Sequence, residues 1–362
     1  MMKKSILLSV MFSTVGLLCG CNDDNDGFTS EVIETTTGMF IVNEGNYYSS
    51  IDGALSYIDY TTDIVTVDAF KKANGISLGG TPNDGIIYKD HIYIPATDEN
   101  LLWVLDAHTL KVTDRITITQ PRKIVAGDGF VFVTSYAGKV TSVNVSNGEV
   151  KTSEALGKNP NEATCLEDIT YLNGYLYVCN AYNPDYSYND NVIKMTTDLK
   201  KVKDITVVCN PTQIETDGKD VYVQSTGNYA DVGTAIQKID ANDKVTTLCE
   251  GTNFALGNGK MYYYATSYDE NWQSVITYNV YDLKTGKSSQ FIDGSDIEYP
   301  NSMGFDPWTG YVYVSAYHLS EYGYGDYNSP GYIVRYDAEG KKLKSFDVGV
   351  GPKTMIFQSN LQ

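Results

Sequence analysis

The chain has 362 residues, 42% of them hydrophobic, enough apolar surface for a sizeable core, which excludes disorder as its main state. Lys and Arg total 27 against 45 Asp and Glu, a formal charge of -18, and a field of that sign repels nucleic-acid phosphates and anionic lipid headgroups. Tyrosine is abundant, 30 against 11 Phe; it joins strand propensity, ring area and a hydroxyl, and so points to a β protein with wet aromatic surfaces.

Residues 1–21, MMKKSILLSVMFSTVGLLCGC, set Lys3 and Lys4 before an apolar run from Ile6 to Leu18, then small Gly20 before Cys21. That order is a secretory signal ending in a lipoprotein cleavage box, so residues 1–20 are expected to be removed and Cys21 lipidated. The apolar run is too short to span a bilayer, and membrane attachment is expected through the lipid alone. Residues 21–38 then form a tether whose NDDNDG at 22–27 is solvated and acidic. It resembles the acidic signal after the lipidated cysteine that sends lipoproteins of Bacteroides-type bacteria to the cell exterior, which implies a surface-exposed place on the outer membrane.

Over residues 39–358 one pattern recurs: apolar, aromatic, apolar, then a polar loop. It reads Met39-Phe40-Ile41, Ile92-Tyr93-Ile94, Val131-Phe132-Val133, Leu176-Tyr177-Val178, Val221-Tyr222-Val223, Met261-Tyr262-Tyr263 and Val312-Tyr313-Val314. The aromatic positions lie 39 to 53 residues apart, the length of four short strands with their turns. Pro82, Pro121, Pro160, Pro211, Pro300 and Pro352 mark a second ruler ahead of the aromatic strands. No stretch shows helical periodicity. The reading is an all-β, seven-bladed β-propeller with four antiparallel strands per blade. The first unit opens at an aromatic strand and so lacks an innermost strand, whereas residues 352–358 form a strand without a blade. Pairing the two closes the ring and removes its edges. Two packed β-sandwiches, the competing architecture, leave that last strand unexplained.

In a propeller the connection between the second and third strands emerges on the same face as the links between blades. Those connections are long and rich in Tyr and Asn here, at residues 43–50, 180–191, 226–231, 266–272 and 316–327, whereas the opposite face carries short turns such as Lys89-Asp90, Asp128-Gly129 and Lys219-Asp220. Long loops on a rigid frame concentrate binding residues. By loop position the ligand-binding candidates are Asn83, Arg122, Tyr136, Asn161, Tyr182, Tyr229, Tyr268, Trp272, Asn301 and Tyr317, with Lys353 beside them. Together they are expected to form a shallow polar and aromatic bowl.

Catalysis finds little support. Only His318 of the three histidines falls near that face, and neither a Gly-x-Ser-x-Gly nor a His-Glu-x-x-His stretch occurs. No catalytic residue, metal ligand or resident cofactor is assigned. Residues 185–191 offer alternate oxygen donors to calcium but lack the glycine and terminal Glu of a helix-loop-helix site. Cys165, Cys179, Cys209 and Cys249 match no metal or redox spacing and are expected as free thiols, with Cys165–Cys179 and Cys209–Cys249 as the disulfides to test.

With signal, acidic tether and seven repeats, and with stretches such as Phe40-Ile-Val-Asn-Glu-Gly-Asn and Pro300-Asn-Ser-Met-Gly-Phe-Asp, the chain resembles the surface-exposed cobalamin-binding lipoproteins of gut Bacteroides, within the YVTN and surface-layer propellers. The resemblance implies capture of cobalamin (vitamin B12) or a related corrinoid and delivery to a TonB-dependent outer-membrane transporter. A corrinoid is broad and rimmed with amides, which suits a wide bowl, and Arg122 or Lys353 is placed to meet its phosphodiester. A glycan- or peptide-binding propeller of another uptake system is the alternative, since stacked Tyr and Trp suit sugars equally. An enzyme, such as a lyase or lactonase, would need a metal or a buried acid-base pair beneath the bowl.

Overall fold

A computed structural model describes residues 34–157, 164–270 and 274–360. The described residues form seven four-stranded antiparallel sheets, one per repeat, and the topology is a seven-bladed β-propeller. Within each blade the chain runs from the innermost strand at the channel to the outermost. Blade 3 is an example, with strands Pro121–Gly127, Phe130–Ser135, Val140–Asn144 and Val150–Thr152. Blade 1 is assembled from both ends of the ring: Pro352–Ser359 lies inside Thr36–Asn43, antiparallel, with Phe40 opposite Ile356 and Met39 opposite Phe357. The closing strand read from the sequence is therefore present.

The recurring triplet is explained by packing. Each second strand is covered on both faces by neighbouring blades, so its residues are apolar without a break instead of alternating with polar ones. Seven apolar clusters fill the seven seams between blades. In every blade the central aromatic residue enters the seam with the following blade and its two flanking residues enter the seam with the preceding one. Phe40 packs with Ile92 and Ile94 of blade 2, while Met39 and Ile41 pack with Tyr313 of blade 7. Fully burying one such side chain stabilises the fold by about 1.5–3 kcal/mol. The proline ruler has an equally local cause. The innermost strand is a sheet edge facing the channel, so a residue without an N–H costs no ladder bond at its start, and Pro121, Pro211 and Pro352 each open one.

Polar side chains tie the seams at two depths. Near the channel, Asp84 Oδ2 accepts from Ile124 N at 3.1 Å, Asp168 Oδ2 from Ile214 N at 2.9 Å, Gln213 Oε1 from Phe254 N at 3.2 Å and Asn253 Oδ1 from Met303 N at 2.7 Å. Each bond runs to the next blade. Ser302 and Thr354 continue the series by donating to the carbonyls of Lys353 and Asn83. Further out, Arg335 of blade 7 pairs with Asp63 of blade 1 at 3.1 Å among the rings of Tyr60, Tyr311 and Phe346. Lys194 of blade 4 pairs with Asp243 of blade 5 at 2.7 Å. Both bases stand opposite the aromatic residue of their blade's triplet.

One expectation is corrected and one is met. A six-residue helix, Ala69–Asn74, lies in the link from blade 1 to blade 2, capped by the Asp68 carboxylate on Lys71 N and ended by left-handed Gly75; two turns are too few to show a period. The four cysteines are free thiols. Register sets Cys165 opposite Tyr182 and Cys179 opposite Val192, so the two residues named as the pair to test do not face each other. Among the described residues no helix is long and apolar enough to cross a membrane. The signal, Cys21 and the acidic stretch 22–27 lie outside the described residues, and of the expected tether 21–38 the residues from Thr36 already belong to the strand Thr36–Asn43.

Candidate functional site

The connections between second and third strands meet the links between blades on one face. Glu44 N donates to Gly351 O at 2.8 Å, Gly53 N to Gly79 O at 2.8 Å, Tyr136 N to Gln120 O at 3.1 Å and Thr226 N to Asn210 O at 2.9 Å. Turns on the opposite face are tight hairpins. Asp128-Gly129, Asn173-Gly174 and Asn258-Gly259 hold positive φ at both central residues, the geometry that matches strand twist. Of the ten exposed tyrosines among the described residues, all but Tyr175 belong to the loop-rich face. So much exposed ring area on one face marks a recognition surface.

Polar bonds hold the loops that carry these rings. In residues 44–53, Asn46 Oδ1 accepts from Tyr48 N at 3.0 Å while its Nδ2 reaches Asn328 Oδ1 at 2.9 Å on the blade 7 loop. Gly45 is required there, since a Cβ would sit 2.2 Å from Ile51 O. Residues 183–190 are held by buried amides: Asn189 Nδ2 donates to Asn180 Oδ1 and Asn183 Oδ1 at 3.2 and 3.1 Å. Asp185 accepts from Ser187 N and Oγ at 3.0 and 2.6 Å, a self-contained turn. Asn228 Oδ1 accepts from Ala230 N and Val232 N at 3.0 and 2.9 Å and props up Tyr229.

The rings gather in two groups. Over blades 3 to 5, Tyr136 lies 6.0 Å from Tyr182, Tyr182 stacks on Tyr186 at 6.2 Å and Tyr188 meets Tyr229 at 6.0 Å. Over blades 7 and 1, Tyr317 packs edge-on against Tyr327 at 4.9 Å, Tyr322 and Tyr324 lie near parallel at 6.0 Å, and Tyr48 stands 95% exposed. Tyr268 is exposed on the blade 6 loop.

Not every candidate residue presents its side chain. Asn83 is 1% exposed; its Nδ2 donates to Thr81 O at 2.7 Å and its Oδ1 receives Arg122. Tyr317 is 6% exposed beneath Tyr299 and Tyr327, and burial with the nearby Glu44 raises its pKa far above the phenol range. Both serve as supports, a correction to the expected bowl. Arg122, expected as a phosphate contact, is already paired with Glu167 at 3.0 Å and lies 4.4 Å from the Tyr136 ring. Tyr136 Oη donates to Glu167 Oε1 at 2.6 Å. Asn301 Nδ2 donates to Pro352 O at 2.7 Å across the closing seam. Asn161 and Trp272 lie outside the described residues.

Beneath the face the channel opens into a cavity of about 810 Å³ lined by innermost strands, with Asp84, Lys123, Asp168 and Glu215 in its wall. The sequence reading missed these residues and Glu167. Counting back nine residues from the aromatic would have found three of them, Asp84, Lys123 and Asp168, together with Gln213 and Asn253. Burial pushes the Glu215 carboxyl up to about 8, with Asp168 adding to the rise. Burial also raises Asp168 well above the carboxylate range, Lys123 pulling it back and Asp84 adding. Among the described residues no three His, Cys, Asp or Glu side chains cluster as metal ligands.

Residues 37–358 match the family model described as Domain of unknown function (DUF5074). Similar solved structures include a quinonprotein alcohol dehydrogenase-like protein from Bacteroides thetaiotaomicron, 15% identical over 90% of this chain and 79% of that one, TM-score 0.63. A hypothetical selenium-binding protein from Sulfolobus tokodaii is 9% identical over 90% and 94%, TM-score 0.67, and apo AztD from Citrobacter koseri 13% identical over 90% and 98%, TM-score 0.56. At these identities the likeness is one of fold. No curated protein sequence matches the chain. With a seven-bladed ring spanning the matched residues, the chain belongs to the DUF5074 family of domains of unknown function.

Proposed function

We propose that this protein is a noncatalytic lipoprotein of the outer-membrane surface that captures cobalamin or a related corrinoid on its loop-rich face and passes it to a TonB-dependent transporter. One observation carries the reading: nine exposed tyrosines of the described residues crowd that face while the opposite one is built of tight turns. A corrinoid is a wide plate edged with amides. It is recognised by ring area spread over a broad surface with hydrogen-bonding groups between the rings, and the Tyr groups over blades 3 to 5 and over blades 7 and 1 offer such a surface, with Asn and Ser between. Tyr and Asn provide it at low conformational cost when the loops are held from beneath, as Asn46, Asn189 and Asn228 hold them. Titration calorimetry of the purified protein with cyanocobalamin tests the reading. Saturable one-to-one heat is expected. No heat at micromolar protein, together with binding on a glycan array, would move the ligand class to sugars.

A further inference from the structure

Hydrogen-bond accounting inside the channel leaves the Lys123 ammonium with one acceptor for its three donors, beside Arg122, whose Nε has none. At the depth where Asp84, Asp168, Gln213 and Asn253 each accept a backbone N–H from the next blade, blade 3 carries Lys123, which cannot accept. The N–H it would have served, Ile169 N, is taken at 2.8 Å by the carboxylate of its own neighbour, Asp168. Lys123 Nζ makes one hydrogen bond among those described, to Asn83 O at 3.2 Å, although an ammonium carries three donors. No carboxylate oxygen of the described residues lies within 4.0 Å of it, since its charge appears in none of the ion pairs. The side chain is enclosed by protein yet keeps accessible surface, because the surface it presents belongs to the cavity.

We propose that the central channel is a binding site for a small oxyanion, a carboxylate or phosphate group, received by the Lys123 ammonium beneath the tyrosine face. This site is separate from the surface proposed for the corrinoid and stands or falls independently of it.

Four acidic side chains share the cavity wall, and the same accounting explains why they do not exclude an anion. Asp84 accepts from Ile124 N, Asp168 from Ile169 N and Ile214 N, Glu215 from Leu256 N and Gln213, and Glu167 from Arg122 and Tyr136. All of these oxygens except Asp84 Oδ1 accept a hydrogen bond among the described residues. The groups facing Lys123 are Asp84, Asp168, Arg122 and Glu167; burial lowers its pKa, but the acidic neighbours outweigh that and keep it charged. Burial raises Asp168 to about 7 and Glu215 to about 8, so both take up protons as pH falls below those values, which lessens the repulsion that ionised carboxylates would exert on an anion. The missing chemical element in the cavity is therefore an acceptor. At about 810 Å³, the space accommodates phosphate, acetate or the oxyanionic end of a larger molecule.

The test is calorimetric titration of the full chain with inorganic phosphate and with acetate, in separate experiments at pH 6.5 and 8.5, repeated on Lys123→Gln and Lys123→Arg. Binding of one or both probes is expected, with about threefold or greater weakening at the higher pH as Asp168 and Glu215 ionise. Lys123→Gln is expected to lose about tenfold or more in affinity and Lys123→Arg to retain it, because the lost interaction is charge-assisted. Acetate without phosphate would assign a carboxylate ligand, the reverse a phosphate. If neither probe binds at tens of millimolar, or Lys123→Gln binds as the wild type does, the proposal is wrong and the channel holds water. If Lys123→Gln melts at a lower temperature, Lys123→Arg decides: retained binding upholds the site and lost binding overturns it.

Discussion

Replacing Ile356 with alanine probes the closure of the ring. Ile356 sits in the middle of the last strand, opposite Phe40, is 5% exposed and packs among Phe40, Val42, Ile92 and Ile94 in the seam between blades 1 and 2. Its Cδ1 would lie 2.6 Å from a Cβ built on Gly85, so the seam leaves no slack around it. Deleting the buried branch removes transfer energy and leaves a void that rigid sheets on both sides cannot fill, a loss of about 3 kcal/mol within the 2–5 kcal/mol range for such changes. Equilibrium urea denaturation followed by tyrosine fluorescence and by far-ultraviolet circular dichroism reads it. The midpoint should fall with the slope unchanged and the two probes coincident, because the strand that closes the ring belongs to one cooperative unit. Removing residues 352–359 outright should abolish the native state, since it exposes the inner edge of Thr36–Asn43. A loss below about 0.5 kcal/mol, the size of an ordinary surface change, or a truncated chain that unfolds like the intact one, would refute closure by this strand.

Alanine at Tyr186 or Tyr229, both exposed, should weaken corrinoid binding about tenfold each while leaving stability within about 0.5 kcal/mol, checked by calorimetry and melting. Tyr317→Ala should act in the opposite way, costing about 3 kcal/mol of stability because the ring is buried under Tyr299 and Tyr327. Arg335→Ala should cost about 1–2 kcal/mol by removing the guanidinium from among Tyr60, Tyr311 and Phe346 and from Asp63 in the seam between blades 7 and 1, where Lys344 at 3.2 Å remains as the partner of Asp63. For pH, Asp168 and Glu215 have folded pKa values raised above the unfolded carboxylate values near 4, Glu215 to about 8. The folded state thus binds more protons than the unfolded one between about pH 4 and 8, and stability falls as pH rises through that window. Melting temperature should drop from pH 5.5 to 8.5, and an Asp168→Asn, Glu215→Gln double variant should show a flatter profile; an unchanged slope would place the titration elsewhere.

The architecture was readable because its signal is repeated and apolar. A triplet buried in two seams at once cannot vary much in character, and seven such triplets with an unmatched last strand leave few topologies open. The loop-rich face followed from topology. Which side chains present themselves there did not, because burial of a polar residue depends on neighbours from other blades: Asn83 is consumed by Arg122, itself consumed by Glu167 of blade 4, 45 residues away. The channel acids and Lys123 were hidden for a related reason, since a charged residue in an edge strand reads as solvated until the ring encloses it.

Amide hydrogen exchange of the full chain, with and without saturating cyanocobalamin, locates recognition on the molecule itself. Protection is expected in residues 44–53, 183–190, 227–234 and 318–329, with the hairpin turns at 128–129, 173–174 and 258–259 unchanged. Protection centred on those turns, or none at all under saturating ligand, would contradict capture at the tyrosine-bearing face.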